Sequence, residues 1–259
     1  MCEKGMWLTA VNEATGTSVL FKTRCKLWSC NDCRKINSDL WLLRATYGAH
    51  LLQESGQDIH LVTVTAHERH RVKDAVSVLP SAWNKLRSRW QRSGDKPEYM
   101  LIPEVGARGH FHVHLITNAP RGTRWWKDTA RSCGFGYSND ESDRFINSAK
   151  AGFYVGKYLA KQLTQNVWKK GFHRVRVSRG WAKLPPLPKA EDWRFLPFPK
   201  GASVVSVLRN LTAQNYHVAV SDDRSSWDYV GKGRLTDGTS WLTMLSPLTD
   251  AEGVENDGK

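Results

Sequence analysis

Residues 110–116 read HFHVHLI, with a histidine at every second position of an apolar run. In a β-strand successive side chains point to opposite faces, so His110, His112 and His114 share one face while Phe111, Val113 and Leu115 share the other. The run therefore predicts a strand that is packed on one side and lined with imidazoles on the other. Such a ladder can bind a metal, carry protons or stand on a wetted edge, and the surrounding residues have to decide among these.

EYMLIPEV (98–105) reads as the preceding strand, VGARG (105–109) as a glycine-containing turn, and HFHVHLIT (110–117) as the antiparallel partner. A turn centred near Ala107 or Arg108 sets Glu104 across from His110 or His112. Directly opposed Cβ atoms lie about 4.5–5.5 Å apart, so two imidazoles and a carboxylate can converge on one cation. Nitrogen and oxygen donors without thiolate suit Mg2+ or Mn2+, and zinc is compatible with the same ligand types.

The other segments supply a sheet and its cover. IHLVTVT (59–65) alternates and is rich in β-branched residues, which predicts a buried strand. Residues 74–92 predict a helix with Trp83, Leu86 and Trp90 on one stripe and arginines on the others. RWWKDTARSC (124–133) reads as helical, GFGYS (134–138) as a turn or short strand, and residues 144–166 as a helix despite Gly152 and Gly156. This succession suits an α+β fold, with an antiparallel central sheet of about five strands and flanking helices along one side. Ahead of it, WLTAV and TSVLFKTR read as a hairpin around NEATG, and residues 32–55 as a basic helix with Ile36, Leu40, Leu43, Tyr47 and Leu51 at helical spacing. Behind it, GFHRVRVSRGW (171–181) reads as a basic strand, SVVSVL (203–208) and YHVAV (216–220) as strand-like pieces, and DAEGVENDGK (250–259) as a loose acidic tail. The expected organisation is an N-terminal hairpin, cysteine cluster and helix over 1–55, a core over 56–182 and a C-terminal extension over 183–259.

On the helix GFYVGKYLAKQ (152–162), residues four apart stack, so Tyr154 and Tyr158 form one stripe and Lys157 and Lys161 the adjacent one. A phenol with a reference pKa of about 10 is a poor nucleophile unless positive charge or a metal assists it. Taken alone, tyrosines at this spacing are an everyday packing pair and lysines everyday surface residues.

Charge points to a polyanion. The 38 Lys and Arg exceed the 25 Asp and Glu by 13, a balance that attracts nucleic acid first. The basic patches AHERHRVK, NKLRSRWQR, PRGTRWWK and VWKKGFHRVRVSRGW suit phosphate contacts, and Trp125, Trp126, Trp168 and Trp181 are candidates for stacking on unpaired bases. No apolar run reaches the roughly 18 residues a membrane span needs, and no secretory signal opens the chain, so a cytoplasmic location is expected. Cys25, Cys30 and Cys33, spaced C-x4-C-x2-C before a basic helix, read as most of a Zn2+ knuckle, with Cys2 a candidate fourth ligand and Cys133 a buried small residue.

Together these constellations resemble the HUH endonucleases that initiate rolling-circle replication. The motif of histidine, hydrophobic residue and histidine is followed by a helix bearing Y-x-x-K. Its paired form, here YVGKYLAK (154–161), is similar to that of initiators of small single-stranded DNA phages and related plasmids. LVTVT (61–65) resembles the family's first motif and PEVGARGHFHVHLI (103–116) its second, upstream Glu included. The resemblance implies a ferredoxin-like arrangement, His112 and His114 as metal ligands, Glu104 as the third, and His110 as an extra imidazole on the same face. It also implies Tyr158 as nucleophile beside Lys161, with Tyr154 and Lys157 as the second set. The implied reaction is attack of the phenol oxygen on a phosphodiester, giving a 5′-phosphotyrosyl link and a free 3′-hydroxyl that primes a host polymerase. Phage initiators of this kind often carry a cysteine cluster, in keeping with structural Zn2+. The implied substrate is single-stranded DNA or a melted origin hairpin in the cytoplasm of a bacterial host. With no G-x-x-x-x-G-K-[ST] loop, unwinding falls to a host helicase. An HUH transposase or relaxase shares this chemistry, and a zinc-containing DNA-binding regulator shares the composition without it.

Overall fold

A computed structural model of the chain describes residues 4–67, 72–94, 96–106, 109–119, 121–139, 147–164, 168, 172–186, 192–196, 198, 201–220, 229–230 and 234–235. In chain order the elements are β1 (Trp7–Asn12), β2 (Thr17–Lys22), α1 (Asn31–Glu54), β3 (His60–Ala66), α2 (Val72–Arg92), β4 (Tyr99–Val105), β5 (Phe111–Thr117), α3 (Thr123–Ser132), β6 (Phe135–Asn139), α4 (Ser148–Thr164), β7 (Arg176–Val177), β8 (Trp193–Leu196), α5 (Val204–Ala213), β9 (His217–Val220), β10 (Tyr229–Val230) and β11 (Arg234–Leu235). The fold is α+β, with two compact units: residues 1–40 with 185–246, and residues 41–184 with 247–259.

In the first unit, β1 and β2 form the expected hairpin, and a four-stranded sheet in the order β8-β1-β2-β9 grows on both sides of it. Strand β8 joins antiparallel and β9 parallel. Ala10, Val19 and Phe21 are buried there beneath Leu8, Trp193 and Phe195. The segment SVVSVL is not a strand. It opens α5, whose Ser203 side chain accepts the Ser206 backbone N–H at 3.1 Å as an N-cap. Val204, Val207, Leu208 and Leu211 then fall on one face at three- and four-residue spacing. The β-branched content suggested an extended segment, but a capping serine and a helical stripe outweighed it.

The second unit is built on an antiparallel sheet of five strands in the order β6-β3-β5-β4-β7. The basic run expected as a strand contributes two residues, Arg176 and Val177, paired with Leu101 and Met100. One face of the sheet carries Val62, Val64, Tyr99, Leu101, Val113 and Leu115, packed under Leu79, Trp83, Leu86 and Trp90 of α2 and Trp126 and Ala130 of α3. Trp83 meets Tyr99 edge-on at 4.9 Å and Trp90 meets Trp126 edge-on at 4.8 Å, the arrangement favoured by the charge distribution of aromatic rings. Burial accounts for most of the tryptophans expected to stack on bases. Trp126 lies in this core, Trp168 is buried against Phe172, and Trp181 is buried with its indole N–H donated to the Arg44 carbonyl at 3.2 Å. Trp125 is partly buried, with the Arg121 guanidinium 5.4 Å from its ring.

The opposite face is also covered, contrary to the expected one-sided cover. At one end Leu61, Met100, Ile102 and Ile116 are buried, and α4 packs against β4 with Ala151, Val155 and Leu159 fully inside. Strict alternation makes that face part apolar, and apolar surface on a large sheet draws a second layer. The second half of α1 packs against α4, and the two glycines of α4 allow it. A Cβ at Gly152 would stand 2.0 Å from Thr46 Oγ1, and one at Gly156 would stand 2.9 Å from Leu42 Cδ1. Glycine costs a helix about 1 kcal/mol against alanine in isolation, so the close helix approach decides the sign here. Gly152→Ala is expected to destabilise the protein by roughly 1–3 kcal/mol, and Thr46→Ala in the same chain should restore much of the loss. Urea unfolding of the two single variants and the double variant reads this coupling directly.

Candidate nucleic-acid processing site

Strand register assembles the site. In β5, His112 and His114 point to the face under α4, and the ladder sets Glu104 of β4 directly opposite His112 and Ile102 opposite His114. On the other flank β3 sets Thr65 opposite His112 and Thr63 opposite His114. Each imidazole thus has a threonine at its Nδ1: Thr63 Oγ1 lies 3.0 Å from His114 Nδ1 and Thr65 Oγ1 lies 3.1 Å from His112 Nδ1. A hydroxyl can donate or accept, so these contacts fix the ring orientation in either tautomer and turn both Nε2 atoms away from β3. The pairing was visible in LVTVT only as alternation that puts two threonines on the histidine face. The role of Thr63 and Thr65 was not legible there.

Strand β5 begins at Phe111, so His110 stands just before it, and its carbonyl accepts the Gly106 N–H at 2.8 Å. Ala107 and Arg108, where the turn was expected to centre, lie outside the described residues. Gly106 has a steric role of its own: a Cβ there would press on His112 Nε2 at 2.8 Å. The absence of a side chain keeps that nitrogen uncovered.

Glu104 is 7% exposed and carries two charge-assisted contacts. Its Oε2 accepts from His114 Nε2 at 2.7 Å and its Oε1 from Lys161 Nζ at 2.7 Å. Burial pushes the carboxyl up, but the hydrogen bonds from His114 and Lys161 and their positive charges outweigh it and hold its pKa at about 2. It is therefore a carboxylate throughout the neutral range. For His112, burial first and the neighbouring His114 second push the pKa below its ordinary value, leaving a neutral imidazole at neutral pH. Neutral imidazole and ionised carboxylate are the ligand forms of these side chains.

Helix α4 brings in the phenols. The Tyr158 ring lies on His114 at 3.5 Å between centroids and 8° between planes, and Tyr158 is 8% exposed. Tyr154, one turn earlier, is half-buried with its ring 6.2 Å from that of Tyr158. Lys161 is the lysine that reaches Glu104, and its ammonium also stands 5.6 Å from the Tyr158 ring. Lys157, on the neighbouring stripe, is exposed.

Residues 59–182 match the family model of the replication-associated protein ORF2. This segment belongs to the replication-associated protein family. The match spans β3 through β7 and so contains the imidazoles, Glu104 and both tyrosines. Neither the curated proteins nor the solved structures supply a match to the chain. The replication-associated assignment indicates a role in initiating DNA replication, in keeping with an initiator of the nuclease type, and implies DNA binding. No helix among the described residues is long and apolar enough to cross a membrane.

Two groups of side chains could hold cations. Cys25, Cys30 and Cys33, at the start of α1, have thiols that all lie within 4.8 Å of one another, and the first and last are 3.6 Å apart. Such a cluster could bind a metal such as zinc. Cys2, the expected fourth ligand, lies outside the described residues, and Cys133 is buried in the core of the replication-associated segment with Ala130 and Trp126. The second group is His112, His114 and Glu104. Its donor chemistry fits a hard divalent ion, and Gly106 leaves His112 Nε2 uncovered. Its donor atoms are more widely spread than the thiols, with Glu104 held between His114 and Lys161.

Proposed function

We propose that the protein cuts and rejoins single-stranded DNA at a replication origin, with the Tyr158 oxygen as nucleophile. The observation that carries this reading is the placement of the Tyr158 ring face to face on His114, beside the ionised Glu104 and the Lys161 ammonium. A phenol, a cation and an imidazole–carboxylate pair then border one spot where a phosphodiester can sit.

In the proposed step, Tyr158 Oη forms a bond to phosphorus while the bond from phosphorus to the 3′ oxygen breaks. The phenol proton departs and the leaving oxygen ends as a 3′-hydroxyl, so charge is transferred and no redox partner is required. Lys161 offers positive charge to the phosphate or to the developing phenolate. His112, His114 and Glu104 would hold Mg2+ or Mn2+, which when bound supplies further positive charge to a phosphate oxygen. Reversal of the step by a second 3′-hydroxyl would reseal the strand. Tyr154 supports a paired mechanism by its stacking on Tyr158, one phenol retaining the old end while the other cuts a new junction. The freed 3′-hydroxyl would serve a host polymerase, a host helicase would open the duplex, and the thiol cluster would hold Zn2+ in a structural role.

The test is incubation of the full chain with a labelled single-stranded oligonucleotide and Mn2+, followed by denaturing electrophoresis and mass spectrometry of the digested product. A denaturant-resistant adduct with the nucleotide on the peptide containing Tyr158 is expected. DNA binding without any adduct would reduce the protein to a DNA-binding regulator.

A further inference from the structure

A cavity of about 600 Å3 opens between the last turns of α2, the start of β4 and the residues after β7. It brings together two basic runs that lie about ninety residues apart in sequence: NKLRSRWQR, which supplies Arg87 and Gln91, and VRVSRGW, which supplies Ser178 and Arg179. Lys96 adds a third cation. Of the carboxylates among the described residues, Glu98 lines the wall, and its Oε2 accepts a short hydrogen bond from the Ser178 hydroxyl. The described lining thus carries three positive charges against one negative charge. Arg87 Nε is buried without a hydrogen-bond partner among the described residues, an arrangement that costs free energy unless a ligand supplies an acceptor. Arginine presents a planar fork suited to phosphate oxygens, and the volume is that of a small-ligand site.

The cavity is not part of the nicking site. Tyr99, in its wall, points to the face packed under α2, whereas Glu104 points to the opposite face. Along β4, Glu98 and Glu104 are six residues apart, about 20 Å at the usual rise. The cavity instead opens beside β7, the edge strand of the sheet, where a passing polyanion meets no further strand.

We propose that this cavity holds a backbone phosphate of a DNA strand and so anchors DNA away from the nicking face. The inference rests on the proposed handling of DNA, but not on its chemistry. It is tested on the full-length Tyr158→Phe protein, which can form no adduct at that residue, by fluorescence anisotropy with a labelled single-stranded oligonucleotide across a salt series. Lys96→Gln with Arg179→Gln, both exposed positions, is expected to weaken binding roughly tenfold near 0.1 M salt and to lower the salt slope by about 1.4. Adding Arg87→Gln should bring the drop in slope to about 2. Arg124→Gln with Arg131→Gln makes the same charge change on exposed positions of α3 and should leave slope and affinity within about twofold of the parent.

An equal loss from the α3 pair, or an unchanged slope in both cavity variants, overturns the proposal. Calorimetry with inorganic phosphate separates the sources of the anion. Saturable phosphate binding that the cavity variants abolish, with oligonucleotide affinity untouched, would assign the site to a free anion and overturn the DNA assignment. If the wild-type chain formed no adduct while the cavity variants still lost DNA affinity, the nicking chemistry would fail and this inference would stand.

Discussion

Tyr158→Phe is expected to reduce the covalent protein–DNA adduct by at least about a hundredfold, because the nucleophilic oxygen is the single atom removed. The substitution keeps the ring, and with it the 3.5 Å stack on His114, so the fold and the salt-sensitive affinity for an oligonucleotide should remain close to wild type. Thermal melting and anisotropy in the same buffer check both. The contrast with Tyr154→Phe is informative. Tyr154 is half-buried one turn away, and Lys161, which reaches Glu104, flanks Tyr158. Loss of Tyr154 should therefore spare the first cut and slow rejoining at a second junction. Undiminished adduct from Tyr158→Phe, with the nucleotide found on Tyr154, would exchange the two roles.

Replacing His112 and His114 together by alanine should remove Mn2+ affinity and adduct formation in parallel, the latter by about a thousandfold or more. His112 enters the metal question as a neutral imidazole, so in the intact protein metal affinity should hold through neutral pH and fall only in acid, as the imidazoles protonate. Mn2+ binding followed by calorimetry across pH, alongside adduct yield, reads both halves. Retained metal binding in the double variant would show that the imidazoles serve packing alone. Glu104 makes the two outcomes easy to tell apart: His114 is one of its two hydrogen-bond partners, so the double variant should also raise its depressed pKa while the Lys161 pair persists.

The elements that were legible in the sequence are those whose period is local. Two-residue alternation revealed β3 and β5, and the stripe of Trp83, Leu86 and Trp90 revealed α2, because a strand or helix face repeats within a few residues of itself. α5 escaped because valines carry a β preference that a serine cap and four-residue spacing overrode. Three of the four tryptophans expected to meet bases lie inside instead, since basic neighbours in sequence say nothing about which way a large apolar ring turns. The cover on the histidine face also went unread, because what lies over a sheet is settled by segments far away in the chain.

The chain's own order of residues determined the histidine face, the placement of Glu104 near it, and a helix with tyrosines and lysines on adjacent stripes, all consequences of backbone periods that any strand or helix obeys. Only the tertiary structure decided that Glu104 stands opposite His112, that threonines of β3 hold both imidazoles at Nδ1, that Lys161 and not Lys157 reaches the carboxylate, and that two distant basic runs close around one cavity. These depend on strand register and on how closely α4 approaches α1 and the sheet, and both are set by packing between segments that have no local pattern in common.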